Sequence, residues 1–314
     1  MKLSTRPYRN GEDYWRIREF LRQTMTLNNY REYNWHVARL DYWWWFANPD
    51  LEKFKPEECV FLWESDRGEI IAVLNPEGRG QAFLQVHPGF RTTELEEQMI
   101  SMAEEHLTST EAKGEQALWL FVDSHDSMRQ QILKNKGYQR VEETGTQEFQ
   151  HRRSLDESLP DRRSVPGYTI RALGDGLELL ERCYASGLGF HNDDVHTARD
   201  NRDHPDWYRH IQSAPLYRRD LDLVAVASDG SIASFCTIWF DDVTRTAYFE
   251  PVATIPSHRR HGLGNAVMLE GLHRLKRMGC KTAFVGGYSQ TANALYFSVM
   301  GKGCDISEPW KKSF

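Results

Sequence analysis

No cysteine pair stands out in this sequence. Its five cysteines, Cys59, Cys183, Cys236, Cys280 and Cys304, are odd in number and form no Cys-x-x-Cys. That speaks against a disulfide framework and a compact redox or zinc motif, and for a reducing compartment. Nothing around the five argues for a thiol nucleophile. Long hydrophobic runs are missing too, since no stretch approaches the ~18 residues of a membrane span. The first residues, MKLSTRPYRN, contain no apolar core of the kind a secretory leader needs. The expectation is a cytoplasmic chain with no membrane partner. A global basic excess is also absent. Lys and Arg number 39 against 45 Asp and Glu, a formal net charge of −6, so nucleic acid is not an expected partner.

What is present is an aromatic-rich globular sequence. Its 314 residues suggest two domains. Ten Trp, 13 Tyr and 15 Phe suggest a large buried area. Apolar periodicity predicts helices over 12–30 and 31–47, the second ending in the block Tyr42-Trp43-Trp44-Trp45-Phe46 and broken by Asn48-Pro49-Asp50. That block reads as core or interface, or as a wall of an acceptor pocket. Strands follow at 60–63, 69–74 and 81–86, a helix at 94–107, a strand at 117–122, a helix at 127–136 and one or two strands within 138–150. Residues 151–167, HRRSLDESLPDRRSVPG, are charged, carry two prolines and lack periodicity. We place the interdomain linker there, at 156–167, between domains 1–155 and 168–314.

The second half repeats the order. Strands are expected at 168–172, 221–226 and 231–240, then one ending at Thr254, and another at 282–285. Helices are expected at 176–186, 205–212, 263–278 and 292–299, with 187–203 polar and irregular. The fold class is α/β with a mixed sheet (α+β), and a final strand follows at the C-terminus.

The stretch from Tyr248 to Leu275 organises this half. An apolar run stops at Pro256, and the basic segment His258-Arg259-Arg260-His261 leads into Gly262-Leu263-Gly264. Met268, Leu272 and Leu275 then share one helical face. A helix start presents unpaired N–H groups, glycines allow close approach, and arginines add charge. Such a loop can hold a diphosphate.

The first half aligns with it without gaps when Pro88 is set on Pro256. Arg91 then meets Arg259 and Leu95 meets Leu263, but Glu94 and Glu96 replace Gly262 and Gly264. Both replacements add a Cβ and direct a carboxylate toward the place of the anion.

Arg-x-x-Gly-x-Gly at 259–264, the preceding Glu250-Pro251-Val252-Ala253-Thr254 and the later Asn293-Ala294-Leu295-Tyr296 resemble the GNAT superfamily of N-acetyltransferases. The resemblance implies two tandem GNAT-like acyl-CoA N-acyltransferase domains, a degenerate first copy without a cofactor site and a catalytic second one. It implies acetyl-CoA as co-substrate, no metal, and a sheet splayed at its centre. Val252, Ala253 and Thr254 would hold the pantetheine arm. Arg259, Arg260, His261, Gly262, Leu263, Gly264, Asn265 and Ala266 would hold the pyrophosphate, and Asn293 would contact the pantetheine. In the first copy Leu133 stands where Tyr296 is expected, so that copy should bind no coenzyme A. One departure is visible: Met300-Gly301 stand where the superfamily has Gly-Phe, which bears on the end of the helix and the last strand.

The reaction implied is direct attack of an amine on a thioester. An alkyl ammonium, with pKa near ~10.4, is mostly charged at neutral pH and needs a base. Glu250, counted four residues before Thr254 and so on its face, is the candidate base, or alternatively a buried carboxylate fixing nearby backbone. Tyr296 takes the position of the superfamily's general acid. The His191, Asp193, Asp194, His196, His204, Asp206 and His210 cluster matches no compact metal motif. With Trp207, Tyr208 and Tyr217 it reads as a lid over the acceptor site or as a solvated loop. The acceptor is expected to be a small-molecule amine, and the chain a monomer or homodimer. Two other readings are a non-catalytic acyl-CoA-binding sensor and an acetyltransferase of the mycothiol synthase type.

Overall fold

The computed structural model describes residues 3–112 and 114–314. The chain divides into two compact units, residues up to 150 together with Asp305–Phe314, and His151–Cys304.

The first half runs β1 (Ser4–Pro7), α1 (Gly11–Leu27), α2 (Val37–Tyr42), a π-helix (Trp43–Glu52), α3 (Pro56–Cys59), β2 (Phe61–Glu64), β3 (Ile70–Asn75), β4 (Gln81–Val86), a 3-10 turn (Pro88–Phe90), α4 (Thr93–His106), β5 (Ser109–Thr110), β6 (Gln116–Asp123), α5 (Ser127–Asn135), β7 (Gln139–Arg140) and β8 (Glu148–Ser154). The aromatic block forms the π-helix, which continues through Pro49 and closes where Asn48 bonds both N–H and C=O of Phe54, at 2.7 and 3.2 Å. Trp43 is buried and donates to the Glu77 carbonyl at 2.9 Å, and Trp45 donates to the Tyr14 hydroxyl at 3.0 Å. Trp43 is core, and Tyr42, Trp44, Trp45 and Phe46 are half-buried.

The second half runs β9 (Tyr168–Ala172), α6 (Leu177–Phe190), α7 (Val195–Asp203), α8 (Asp206–Ser213), β10 (Asp222–Ala227), β11 (Ile232–Asp241), β12 (Thr246–Thr254), a 3-10 turn (Pro256–His258), α9 (Leu263–Arg277), β13 (Thr282–Gly287), α10 (Gln290–Met300) and β14 (Cys304–Ser313). Residues 187–203, expected to be irregular, are mostly helical. Ala198 is the one buried residue of α7, so no apolar stripe marks that helix. A Cβ on Gly187 would lie 2.4 Å from the Ala198 Cα, and this glycine lets α6 and α7 touch. Asp194 caps α7 through the His196 N–H at 2.9 Å, and Tyr208 is core, its hydroxyl on Asp222 at 2.7 Å. Among the described residues, no group of three or more His, Cys, Asp or Glu is placed to hold a metal. No described helix is long and apolar enough to cross a membrane.

Each unit carries a mixed sheet with its strands in the same order. In the first, the order is β1-β2-β3-β4-β6-β14, and in the second β9-β10-β11-β12-β13-β8. The last position in each is filled out of sequence. The chain's C-terminal strand β14 pairs antiparallel with β6, Trp310 opposite Leu120. Residues from His151 onward of β8 belong to the second unit. The unit boundaries therefore differ from those expected, by the transfer of the last strand to the first unit and of 151–167 to the second. The segment read as a linker, although mostly exposed, is tied to the second unit at both ends and through side chains. Leu155 is in the second unit's core, Leu159 and Val165 lie against it, and Arg162 pairs with Glu270 of α9 at 3.1 Å. Its apolar residues sit at irregular intervals along extended chain, so they carry no periodic signal.

In both units the central parallel pair separates. β12 and β13 pair only through Thr246↔Thr282, Ala247↔Ala283 and Tyr248↔Phe284, and β4 and β6 through Gln81↔Trp119 and Ala82↔Leu120.

Candidate functional site

The site of the second unit is built where β12 leaves β13 and runs into α9. A bulge interrupts β12, since Cys236 faces Val252 and Ile238 faces Phe249, so that Thr237 stands opposite Glu250 and Pro251. Phe249 and Val252, three residues apart, consequently pack on the same core cluster. This corrects the face argument for Glu250. With an extra residue in the strand, a count of four from Glu250 to Thr254 no longer fixes a shared face. Past the bulge, Ala253 approaches α6, its Cβ 3.1 Å from the place of a Cβ on Gly189. Thr254 approaches α9, its Oγ1 3.5 Å from the place of a Cβ on Gly264. Ser234 donates to the Ala253 carbonyl at 2.9 Å and meets Thr254 Oγ1 at 2.8 Å.

The loop beyond is shaped by positive φ. Gly262 (φ +81°) is the N-cap of α9, and Arg260 has φ +70°. No side chain caps this helix, and its first turn begins with the Ala266 N–H on the Gly262 carbonyl at 3.0 Å. The N–H groups before it have no intrahelical acceptor. A Cβ on Gly264 would come within 3.0 Å of Leu295 Cδ2 and narrow this cradle. Leu263 and Ala266 turn their side chains into the core, leaving only their backbone on the helix start. Arg259 is tied down, its guanidinium donating to the Thr254 and Gly189 carbonyls at 3.1 and 3.2 Å. Arg260 and His261 are exposed, and Asn265 donates to Ser298 Oγ at 3.2 Å. The sequence reading missed one cation. Arg163, assigned to the linker, places Nη1 3.4 Å from where a Cβ on Gly262 would sit. The donor set, unpaired N–H groups, two close-approach glycines and nearby arginines, fits a diphosphate.

The other wall is α10, capped by Ser289 on the Ala292 N–H at 3.1 Å and closed by Gly301 at φ +82°. The Met300-Gly301 departure thus ends the helix and sends the chain out to β14. Asn293 and Tyr296 are buried on this helix. Gly287 makes room for them, because a Cβ there would lie 2.3 Å from Asn293 Oδ1 and 3.0 Å from the Tyr296 ring. Burial pushes the Tyr296 phenol up, and the Cys236 thiol and the Glu250 carboxylate push it further. Tyr296 therefore holds its proton at neutral pH and lies within electrostatic reach of Glu250.

His151 is a second residue that the sequence reading missed. It is fully buried, and its Nε2 lies 2.9 Å from Asn293 Oδ1. An amide oxygen only accepts, so in this orientation Nε2 carries the proton. Its ring meets Tyr296 and Phe297 edge-on, at 5.6 and 4.5 Å. Burial lowers its basicity, with Asn293 opposing. A lone histidine opening a charged, aperiodic segment gave no signal for this role.

The corresponding place in the first unit is occupied. Glu94 is exposed, whereas Glu96 is fully buried, because residues two apart on a helix point about 200° from each other. Arg129 grips Glu96 through Nε and Nη2 at 2.7 and 3.2 Å, and Arg91 also bonds it. Burial alone would raise this carboxyl; Arg129 and then Arg91 outweigh it and bring it down to about 2. Thr92 Oγ1 caps α4 by accepting the Leu95 N–H at 3.2 Å. Asn34 closes the free strand edge, accepting the Val86 N–H at 2.9 Å and donating to its carbonyl at 3.0 Å. Repulsion between two carboxylates and an anion is thus the smaller part of the story, and one of them fills the site with its own counterions. With the left-handed Gly137 and Gly301 in register, Ile132, not Leu133, stands at the Tyr296 position, and Arg129 stands at that of Asn293.

Residues 180–301 match the Acetyltransferase (GNAT) family. No curated protein matches the chain. Among solved structures, a GCN5-related N-acetyltransferase from Sphaerobacter thermophilus aligns over 99% of this chain and 95% of its own, with TM-score 0.65 and 19% identity. A tandem GNAT protein from the clavulanic acid biosynthesis pathway aligns over 99% and 98%, with TM-score 0.64 and 14% identity. A GNAT-family acetyltransferase from Colwellia psychrerythraea aligns over 100% of both chains, with TM-score 0.57 and 10% identity. At these identities the likeness is one of fold. Residues 180–301 therefore form a domain of the GNAT acetyltransferase family, and the whole chain has a fold shared with a tandem GNAT protein.

Proposed function

We propose that the second unit moves an acetyl group from acetyl-CoA to the amine of a small-molecule acceptor. The observation that carries this reading is the uncapped, glycine-lined start of α9 beside the splayed edge of β12. In this reading the first-turn N–H groups from Gly262 to Ala266, with Arg259, Arg260, His261 and Arg163, hold the pyrophosphate. The edge from Val252 to Thr254 holds the pantetheine amides, and Asn293, steadied by His151, holds its inner end.

Acetyl-CoA supplies a thioester-activated acetyl group. Glu250 takes the proton from the acceptor ammonium and so frees the nitrogen lone pair. The nitrogen then bonds to the acetyl carbon, Tyr296 gives its proton to the sulfur as the carbon–sulfur bond breaks, and the proton shed by the acylated nitrogen returns to the Tyr296 oxygen. The raised proton affinity of Tyr296 keeps it in the donor form at every pH of interest. It also makes that transfer more demanding than for a free phenol of pKa near ~10. The buried thiols offer no competing nucleophile, with burial pushing Cys183 and Cys280 up to about 12.

Turnover of acetyl-CoA against a broad panel of amines, aminoglycosides and peptides tests the reading. Thiol release that depends on one acceptor class and falls in Glu250→Gln supports it. Tight acetyl-CoA binding without turnover on any acceptor favours a sensor, and turnover only on cysteinyl-glucosaminyl-inositol would assign the mycothiol synthase type.

A further inference from the structure

The splay of the first unit opens into a cavity of about 300 Å³ whose lining residues all belong to that unit. One side is aromatic. Phe83 and Phe121 stack at 4.9 Å, and Trp35 packs on Phe83 at 5.0 Å. Trp35 is 5% exposed and its indole N–H has no hydrogen-bond partner among the described residues.

The charges are unbalanced. The three lining arginines are already matched, Arg39 by Glu77 and Glu148, Arg129 by Glu96, and Arg91 by Glu96 and Asp126. A further carboxylate, Asp123, lines the same space. The Asp123 side chain is only 7% exposed. Its ion-pair partner among the described residues is the exposed His125 imidazole at 3.4 Å, uncharged unless protonated. Burial raises the Asp123 proton affinity and Asp305 adds to it, while the His125 N–H, the His125 ring and, least, the Arg31 guanidinium oppose it. A second anion here would be repelled, whereas an ammonium ion would neutralise Asp123 and keep an apolar body against the rings.

We infer that this cavity binds a small organic ammonium ion, its charge on Asp123, its apolar body along Phe83 and Phe121, and a hydrogen-bond-accepting oxygen near Trp35. The inference is independent of the acetyl-transfer reading, since the residues belong to the unit whose anion cradle is filled. The dimensions suit a ligand of one ring and a short chain.

Tyramine is a suitable probe, titrated calorimetrically into the full chain without acetyl-CoA. We expect saturable binding that weakens at least about tenfold in Asp123→Asn and in Phe121→Ala, with thermal unfolding showing that both variants fold. The neutral analogue para-ethylphenol should bind at least about tenfold more weakly, and para-hydroxyphenylpropionate should not bind. Affinity should be unchanged in Glu250→Gln and Gly264→Glu, which alter only the second unit. Absence of saturable tyramine binding overturns the proposal. So does binding that survives both first-unit changes or disappears in Glu250→Gln, which would place the amine in the acceptor site instead.

Discussion

In the second unit α9 starts at Gly262 with no side chain on its first-turn N–H groups; in the first, the matching turn of α4 carries the Thr92 hydroxyl as cap and the Glu96 carboxylate inside it. The strand edges differ in the same sense. Val86 gives its N–H and C=O to Asn34, while at the matching Thr254 the carbonyl takes Arg259. Arg129 reaches Glu96, whereas Asn293 at the matching place meets His151. One unit satisfies its helix start from within, and the other leaves it without a side-chain cap. A splayed sheet leaves polar backbone that must find partners, and a repeat that loses its ligand must supply them from its own side chains.

The largest effect should come from removing the internal anion. Glu96→Gln takes the closest counterion from the buried Arg129 guanidinium and leaves Arg91 with Asp126 alone, and should destabilise the first unit by about 3 kcal/mol or more in denaturant unfolding. The same group fixes an acid response. Its folded pKa is about 2, below the ordinary carboxylate value of 4.5. Its stabilisation is therefore full above about pH 4.5 and is lost as pH falls toward about 2, and Glu96→Gln should flatten that limb of the stability profile.

Next in size is the reverse exchange. Gly264→Glu brings the first unit's carboxylate into the second cradle without its arginine partners, and acetyl-CoA affinity should fall at least about 100-fold by calorimetry. Gly264→Ala, which meets Leu295 at 3.0 Å, should lose about tenfold. Tyr296→Phe should lower turnover about 10- to 100-fold and leave acetyl-CoA affinity nearly unchanged. An unaltered rate with the true acceptor would remove Tyr296 from the chemistry. The smallest effect belongs to Asn34→Ala, about 1 kcal/mol of stability, because both polar groups of Val86 then lose their partner.

Much of this contrast could be read in the sequence. Pro256, the glycine pair and the apolar face of α9 mark strand, loop and helix, and β12 ends at Thr254 as expected. Replacement of Gly264 by Glu96 also marked which copy had changed. What escaped were contacts between residues far apart in the chain. His151 to Asn293 spans 142 positions, and Asn34 to Val86 spans 52. Neither a buried imidazole nor a backbone-bonding amide leaves a periodic trace. The bulge at Glu250-Pro251 changes parity without changing composition, so counting along the strand does not fix the face of Glu250. The fate of the last strand was hidden for a similar reason. A final strand could be expected at the C-terminus, but nothing in the residues of Cys304–Ser313 says which sheet it joins.

The central claim is that the chain holds one cofactor cradle, open in the second unit and internally filled in the first. Calorimetric titration of acetyl-CoA into the full chain and into Gly264→Glu tests it directly. The account predicts one equivalent bound by the unaltered chain and none by Gly264→Glu at matched concentrations. Two equivalents, or one equivalent that persists in Gly264→Glu, would contradict it.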